Sequence, residues 1–443
     1  MEILEFCVTK LQSMEVDKFE LAFEKSSSLG IEINDGKLDH LSRSTDQGLA
    51  IRTLKNHKMG FAYTFDLSRN AVELAMRTAL EIAELMPADE LNDLVPFAGL
   101  TYPKVENYDQ QGLEVALEKK IDIARSVEAD ARRQDARIKR VRKSSFNEAR
   151  GESILIDSTG KQLHHQMTMF GASLTCVAEE GTAAEMGSDG RYSTMLADID
   201  AGAVALTAAH NALELLHAGA APTMTCPVVL KNSVVADLIG FLSGSFSAEN
   251  IDKNFSMLVG KRGERLFSDK LHLIDDGLLA KGTSTQPFDG EGQPTRATTL
   301  IDGGVVANFI YDLYYARKHK TKTTGNSSRG GVKSPPGIGT TNLYLKPGIR
   351  SFDALLSDAN KGVFITDLLG LHTANPVTGE FSVGASGILI EDGRLTTPVK
   401  GFAIAGNLVE LLRNVADVGS DMRFWGSVGA PSLLVSKLAI SGT

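Results

Sequence analysis

Residues 226–250 read CPVVLKNSVVADLIGFLSGSFSAEN. The stretch opens as a short apolar strand, Pro227 to Leu230. Asn232 and Ser233 then supply short polar side chains of the kind that cap a helix start. Val234, Leu238, Phe241 and Leu242 follow, with Val235 and Ile239 one position round. That spacing predicts a helix of about three turns whose apolar face is wide enough for deep burial. Ser243, Gly244 and Ser245 end it. A buried helix entered from a strand is a frame on which an active site can be built.

Downstream, short strands are expected near 271–275, 298–301, 305–311, 343–345, 362–366, 379–391 and 394–405. Between them runs a loop, Thr321 to Thr340, with Gly, Ser and Pro throughout (TGNSSRGGVKSPPGIG in its centre). Loops of that length inside a compact domain usually carry function. Upstream, helices are expected at 2–13, from Ser68 to Met86, over 111–134 and over 198–218. Short strands fill the spaces, broken by turns at Asn34-Asp35-Gly36 and Asp46-Gln47-Gly48. Segregated antiparallel strands and long helices give an α+β fold. Gly219 to Thr225 breaks the Ala-rich helix, so two domains are expected: 1–220, α+β, and 221–443, richer in strands.

The chain has 443 residues, enough to bury a core without disulfide or metal staples. Its net charge of -9 argues against nucleic acid as a partner, because such affinity comes largely from Lys and Arg on phosphates. Cys7, Cys176 and Cys226 are sparse and contain no CxxC, which fits a reducing cytoplasm. Glu2 and Glu5 stand where a secretory leader would be basic. No apolar run approaches the ~18 residues that a membrane span needs. A cytoplasmic protein is expected.

No histidine is followed by glutamate, so neither HExxH nor HExxxH occurs, and no GxSxG elbow, phosphate loop or dinucleotide fingerprint is present. His210, Glu214 and His217 share a helix face, but the two histidines would lie ~10 Å apart along the axis and cannot share one ion. His164 and His165 are adjacent in a strand and face opposite sides. Arg317, Lys318, His319, Lys320 and Lys322 suit a helix C-terminus, or an acidic-ligand contact leading into the loop. Asp275-Asp276-Gly277 and Asp302-Gly303-Gly304 read as turns.

Five stretches together resemble a family: GIEINDGKLDHLSRSTDQGLAIRTL (30–54), PFDGEGQPTRATTLIDGGVV (287–306), TGN (324–326), NLYLKPG (342–348), and the long block GVFITDLLGLHTANPVTGEFSVGASGILIEDGRLTTPVKGFAIAGN (362–407). They are similar to the TldD/PmbA family, once labelled modulators of DNA gyrase. The resemblance implies a two-domain α+β protein in a cytosolic zinc peptidase system acting on unfolded peptides, in which two paralogous subunits pair. The TldD-type subunit carries HExxxH on a helix after an apolar strand, plus a cysteine ligand near its C-terminus. The PmbA (TldE) type lacks both.

Laid without gaps on that strand, this chain has Gly240, Phe241 and Ser245 at the His, Glu and His positions, and FWGSVGAPSLLVSKLAISGT (424–443) contains no cysteine. The resemblance therefore implies a non-catalytic subunit with no cofactor of its own. Its partner would be a TldD-like paralogue, with a homodimer when the chain is isolated. The helix is expected to be packed core beside a peptide cleft, for which Tyr315, Gly325, Asn326 and Asn407 are candidate residues. Two other readings stand beside this one: an independent hydrolase lined by 311–322 and the glycine-rich loop, and a scaffold or gyrase modulator.

Overall fold

The computed structural model describes residues 2–442. Helix α1 (Glu2–Gln12) leads into three strands, β1 (Lys18–Asn34), β2 (Lys37–Lys55) and β3 (Lys58–Thr64), and then α2 (Arg69–Leu85). After a connection across residues 87–109 come α3 (Leu117–Gln134), β4 (Ile138–Asp157), β5 (Gln162–Glu180), β6 (Ala183–Ser193) and α4 (Ala201–Glu214). The six strands form one antiparallel sheet in the order β3-β2-β1-β4-β5-β6.

Strand alternation decides what each face of this sheet meets. Phe19 and Leu21 join Leu4, Cys7, Val72 and Met76 beneath α1 and α2, with Phe23 packed against them. Glu20 and Ala22 point the other way, toward the C-terminal half; Ala22 packs with Phe97, Phe288 and Val332.

Several expected turns are absent because the strands run through them. Gly48 of the expected Asp46-Gln47-Gly48 turn lies inside β2, Gly30 lies inside β1, and residues 138–157 form one strand despite Gly151. A Cβ on Gly48 would sit 2.7 Å from Val332 Cγ2, so that glycine marks a close approach of the loop rather than a bend. The hairpin at Asn34-Asp35-Gly36 forms, with Asp35 and Gly36 both at positive φ. The helix expected over 111–134 is two pieces: a turn, Gln110–Leu113, capped by Asp109, and then α3. The Ala-rich helix is shorter than 198–218, starting after its Asp200 cap and ending at Glu214.

The remaining strands build two further large sheets, and Ser327–Ser328 pairs with Gly337–Ile338 inside the glycine-rich loop. In chain order the elements are β7 (Met224–Leu230), α5 (Asn232–Ser243), β8 (Leu273–Asp276), β9 (Ala297–Asp302), α6 (Leu313–Lys318), β10 (Leu343–Leu345), α7 (Phe352–Ala359) and β11 (Gly362–Leu369). They continue with β12 (Glu380–Glu391), β13 (Arg394–Asn407), α8 (Leu408–Arg413), β14 (Val415–Val418), β15 (Arg423–Trp425), β16 (Val428–Ala430) and β17 (Leu433–Ser441). One sheet has the order β9-β8-β10-β16-β15, with Val305–Val306 on its outer edge. The other runs β14-β17-β7-β11-β12-β13, with Gly219–Ala220 last, and a further β17–β13 pairing closes five of its strands into a ring. β7 is buried on both faces: Val228 and Leu230 pack in the core that holds α5, and Val229 packs with Leu355 and Leu356 of α7.

Candidate functional site

Helix α5 begins directly off β7. Its first residue, Asn232, does not cap it; the Nδ2 donates instead to the Asp421 carbonyl at 3.1 Å, and Lys231 precedes the helix without a side-chain cap. Val234, Val235, Leu238, Ile239 and Leu242 are buried as the periodicity requires. The expectation of packed core holds for that face only. Asp237, Gly240 and Phe241 look onto a groove of about 370 Å³, whose other walls are Ala236, Leu371, His372, Trp425 and Val428. A Cβ on Gly240 would meet no atom within 4 Å.

Ser245 lies beyond the helix end in a 3-10 turn, 3% exposed, with its carbonyl accepting a hydrogen bond from Ser256 Oγ at 2.7 Å. On the far wall the Arg423 guanidinium lies 3.8 Å from the centroid of the Trp425 ring, and its Nη2 donates to the fully buried Asp189 at 2.6 Å. Burial, and then the neighbouring Asp367, push the Asp237 carboxyl above its usual range.

A larger cleft, about 500 Å³, lies between the first sheet and the glycine-rich loop. Its floor is a cross-strand row: Glu24 stands opposite Gly48 on β2 and Ser153 on β4, and Ser153 stands opposite His165 on β5. Gly330 to Lys333 form the roof, and Phe65 stands at the side. Burial, and secondarily His164, hold the His165 imidazole neutral, with its pKa down at about 4.

A buried charged network ties the roof to the floor. Arg52 forks onto Glu20 and reaches Glu291 at 3.5 Å, while Arg329 of the loop also pairs with Glu20 and donates from Nε to the Gly290 carbonyl at 2.8 Å. Asp289 accepts backbone N–H groups from Glu291, Gln293 and Ser327. Its pKa is nonetheless raised to about 7, by burial first and then by Glu291.

The sequence candidates fall in different places. Gly240 and Phe241 share the α5 groove; Ser245 does not reach it. None of Tyr315, Gly325, Asn326 and Asn407 lines the large cleft. Asn326 is buried behind the loop, donating to Asp275 Oδ2 at 2.5 Å and to the Gly339 carbonyl, and Gly325 sits tightly against the Pro294 carbonyl at positive φ. Tyr315 stacks edge-on against Tyr314 and His319. Asn407 caps α8 and lines a separate pocket with Phe381 and Glu410. His210 pairs with Glu214, and His217 pairs with Glu180. The first three residues of the basic run are engaged within the chain: Arg317 on Asp93, and Lys318 and His319 on Asp252. Glu24, Ser153 and His165 were not singled out from sequence as a site. The available signal was the pair of glutamates, Glu20 and Glu24, which interrupt the apolar run FELAFEK (19–25) four residues apart and so on one face of a strand.

Three family models cover most of the chain: PmbA/TldA metallopeptidase domain 1 over residues 19–83, the central domain over 111–216 and the C-terminal domain over 223–442. The chain belongs to the PmbA/TldD metallopeptidase family. The chain is 28% identical to Metalloprotease PmbA of Escherichia coli O157:H7, over 100% of this chain and 96% of that one. It is 26% identical to a Metalloprotease TldD homolog of Haemophilus influenzae, over 97% and 93%. A Thermotoga maritima structure described as a candidate modulator of a DNA gyrase superposes with TM-score 0.91 at 28% identity, covering 99% of both chains. TldE from Thermococcus kodakarensis shares the fold, with TM-score 0.91 at 23% identity over 99% and 100%.

Within this PmbA/TldD fold, the α5 residues do not fit a catalytic zinc. Glycine offers no ligand at 240 and phenylalanine no base at 241, and Ser245 is turned into the interior. Among the described residues, no three His, Cys, Asp or Glu side chains converge as a metal would require, and no helix is long and apolar enough to cross a membrane.

Proposed function

We propose that this chain is a PmbA/TldE-type subunit of a cytoplasmic zinc peptidase acting on unfolded peptides. It contributes no catalytic metal. It pairs with a TldD-like paralogue bearing HExxxH, whose peptide chamber it helps to enclose. The observation that supports the reading is the groove on α5: Gly240 and Phe241, which the ungapped resemblance sets at motif positions, face it without a metal ligand, and Ser245 is buried beyond the helix end. Three buried, unbridged cysteines suit a reducing compartment. Without the paralogue, the same surface would pair two copies of this chain.

The test is co-expression with a motif-bearing paralogue, followed by purification and peptidase assays on unfolded peptides. One-to-one co-purification, with activity only in the mixed complex, is expected. Stoichiometric zinc in the chain alone, with chelator-sensitive hydrolysis, would overturn the proposal.

A further inference from the structure

The large cleft is lined by residues of this chain alone. Its volume of about 500 Å³ lies within the range of small-ligand sites. We propose that it binds an extended peptide segment carrying a cationic group, a lysine or arginine side chain or a free α-amine, seated on Glu24.

Three features support this assignment. Glu24 is partly buried on the cleft floor, with its Oε2 beneath Gly331. Among the described residues no side chain pairs with it. The nearby Arg329 pairs with Glu20 and donates to the Gly290 carbonyl, and although its buried Nη1 has no hydrogen-bond partner its charge offsets the burial of Glu24 only in part, leaving that carboxyl above its usual range. A carboxylate desolvated without a partner is costly, and a ligand cation would offset that cost.

Charge also selects against the opposite ligand. Asp46 lines the cleft together with Glu24, as does Glu152, which is engaged by His164 and Gln166, so a carboxylate would enter against at least two of its own sign. Lys25 and Lys333 are exposed, where water and salt screen them, and Lys333 already lies over the Phe65 ring at 5.5 Å. The walls suit a peptide backbone: Ser26, Ser153 and Gln286 can donate and accept, and so can a neutral His165. Gly330 and Gly331 put no side chain into the space above.

The experiment is calorimetric titration of the full chain, without any paralogue, using two capped pentapeptides. One is acetyl-Ala-Ala-Lys-Ala-Ala-amide and the other has Glu in place of Lys. The lysine peptide should bind about tenfold more tightly or better, as expected for one charge-assisted contact. Glu24→Gln should erase the difference. Ser26→Trp, from an exposed position on the floor, should block binding while leaving the melting temperature unchanged. Equal affinities, no binding of the lysine peptide, or full binding by Glu24→Gln would each overturn the proposal. None of these outcomes bears on pairing, which the co-purification assay reads separately.

Discussion

Arg52 and Glu20 stand directly opposite each other on β2 and β1 and meet as a fork. Nε lies 3.0 Å from Oε1 and Nη2 lies 2.7 Å from Oε2, with the two side chains 8% and 5% exposed. Burial alone would raise the Glu20 pKa, but the charges and hydrogen bonds of Arg52 and Arg329 outweigh it and hold the carboxyl below its usual range. Arg52→Ala leaves that carboxylate buried with one partner fewer. It should cost about 3–5 kcal/mol in urea unfolding. Because the folded pKa is depressed, this contribution is present above the ordinary glutamate range and is lost as pH falls through the folded value. A midpoint unchanged by Arg52→Ala would show that the fork adds nothing.

Three other buried carboxylates act in the opposite sense. Burial first, and then neighbouring charge, raises Asp289 to about 7 and Asp312 to about 6; burial raises Asp275 to about 6 against hydrogen bonds from Asn326 and Thr341. Between pH 4 and pH 7 these groups bind more protons folded than unfolded, so their contribution to stability falls as pH rises. Asp289→Asn should flatten the pH dependence between pH 5 and pH 8 by on the order of 2 kcal/mol. His165 opposes them: its depressed pKa removes stability as pH falls from 6.5 toward 4, and His165→Phe should abolish that share. Melting curves of both variants across pH 4–8 separate the two signs.

Two glycines give contrasting tests of local packing. Gly240→Ala adds a methyl group into open space on a helix and should stabilise by about 0.5–1 kcal/mol. Gly60→Ala would place a Cβ 1.8 Å from the Ala79 carbonyl, where β3 rests on α2, and should destabilise by about 2–3 kcal/mol. Equal effects in urea would contradict the packing described.

Placing the motif's residues at 240, 241 and 245 should not create a metal site. In the triple variant Gly240→His, Phe241→Glu, Ser245→His, the first two positions face the groove, but position 245 is buried in a turn past the helix end. Zinc measured by atomic absorption should stay well below one equivalent. Stoichiometric zinc would mean that the turn can unwind into helix.

The α+β class and the strand-to-helix frame at 226–243 were legible because burial there follows periodicity. The long strands were not. Gly30 and Gly48 look like breakers, yet each sits where another chain segment crowds the backbone, Ser42 in one case and Val332 in the other. Only tertiary contact distinguishes that use of glycine from a turn. Likewise, Asn232 had the chemistry of a cap, but Asp421, almost 190 residues downstream, claims its amide. The large cleft was hidden for a related reason. Glu24, Ser153 and His165 are adjacent through strand register alone, and the sequence gives no direct sign of register between β1, β4 and β5.

The ring closed by β17 has a consequence for how the protein is made. β7 is flanked by β11 and β17, yet β17 leaves the ribosome about 200 residues after β7 does. β7 has neither neighbour until β11 emerges about 130 residues later, and only one until β17 follows, while all six strands of the first sheet have already emerged. The first sheet can thus be complete during synthesis, whereas the ring must wait. A nascent chain halted before residue 433 would be expected to hold a protease-resistant N-terminal part joined to an open, chaperone-dependent remainder.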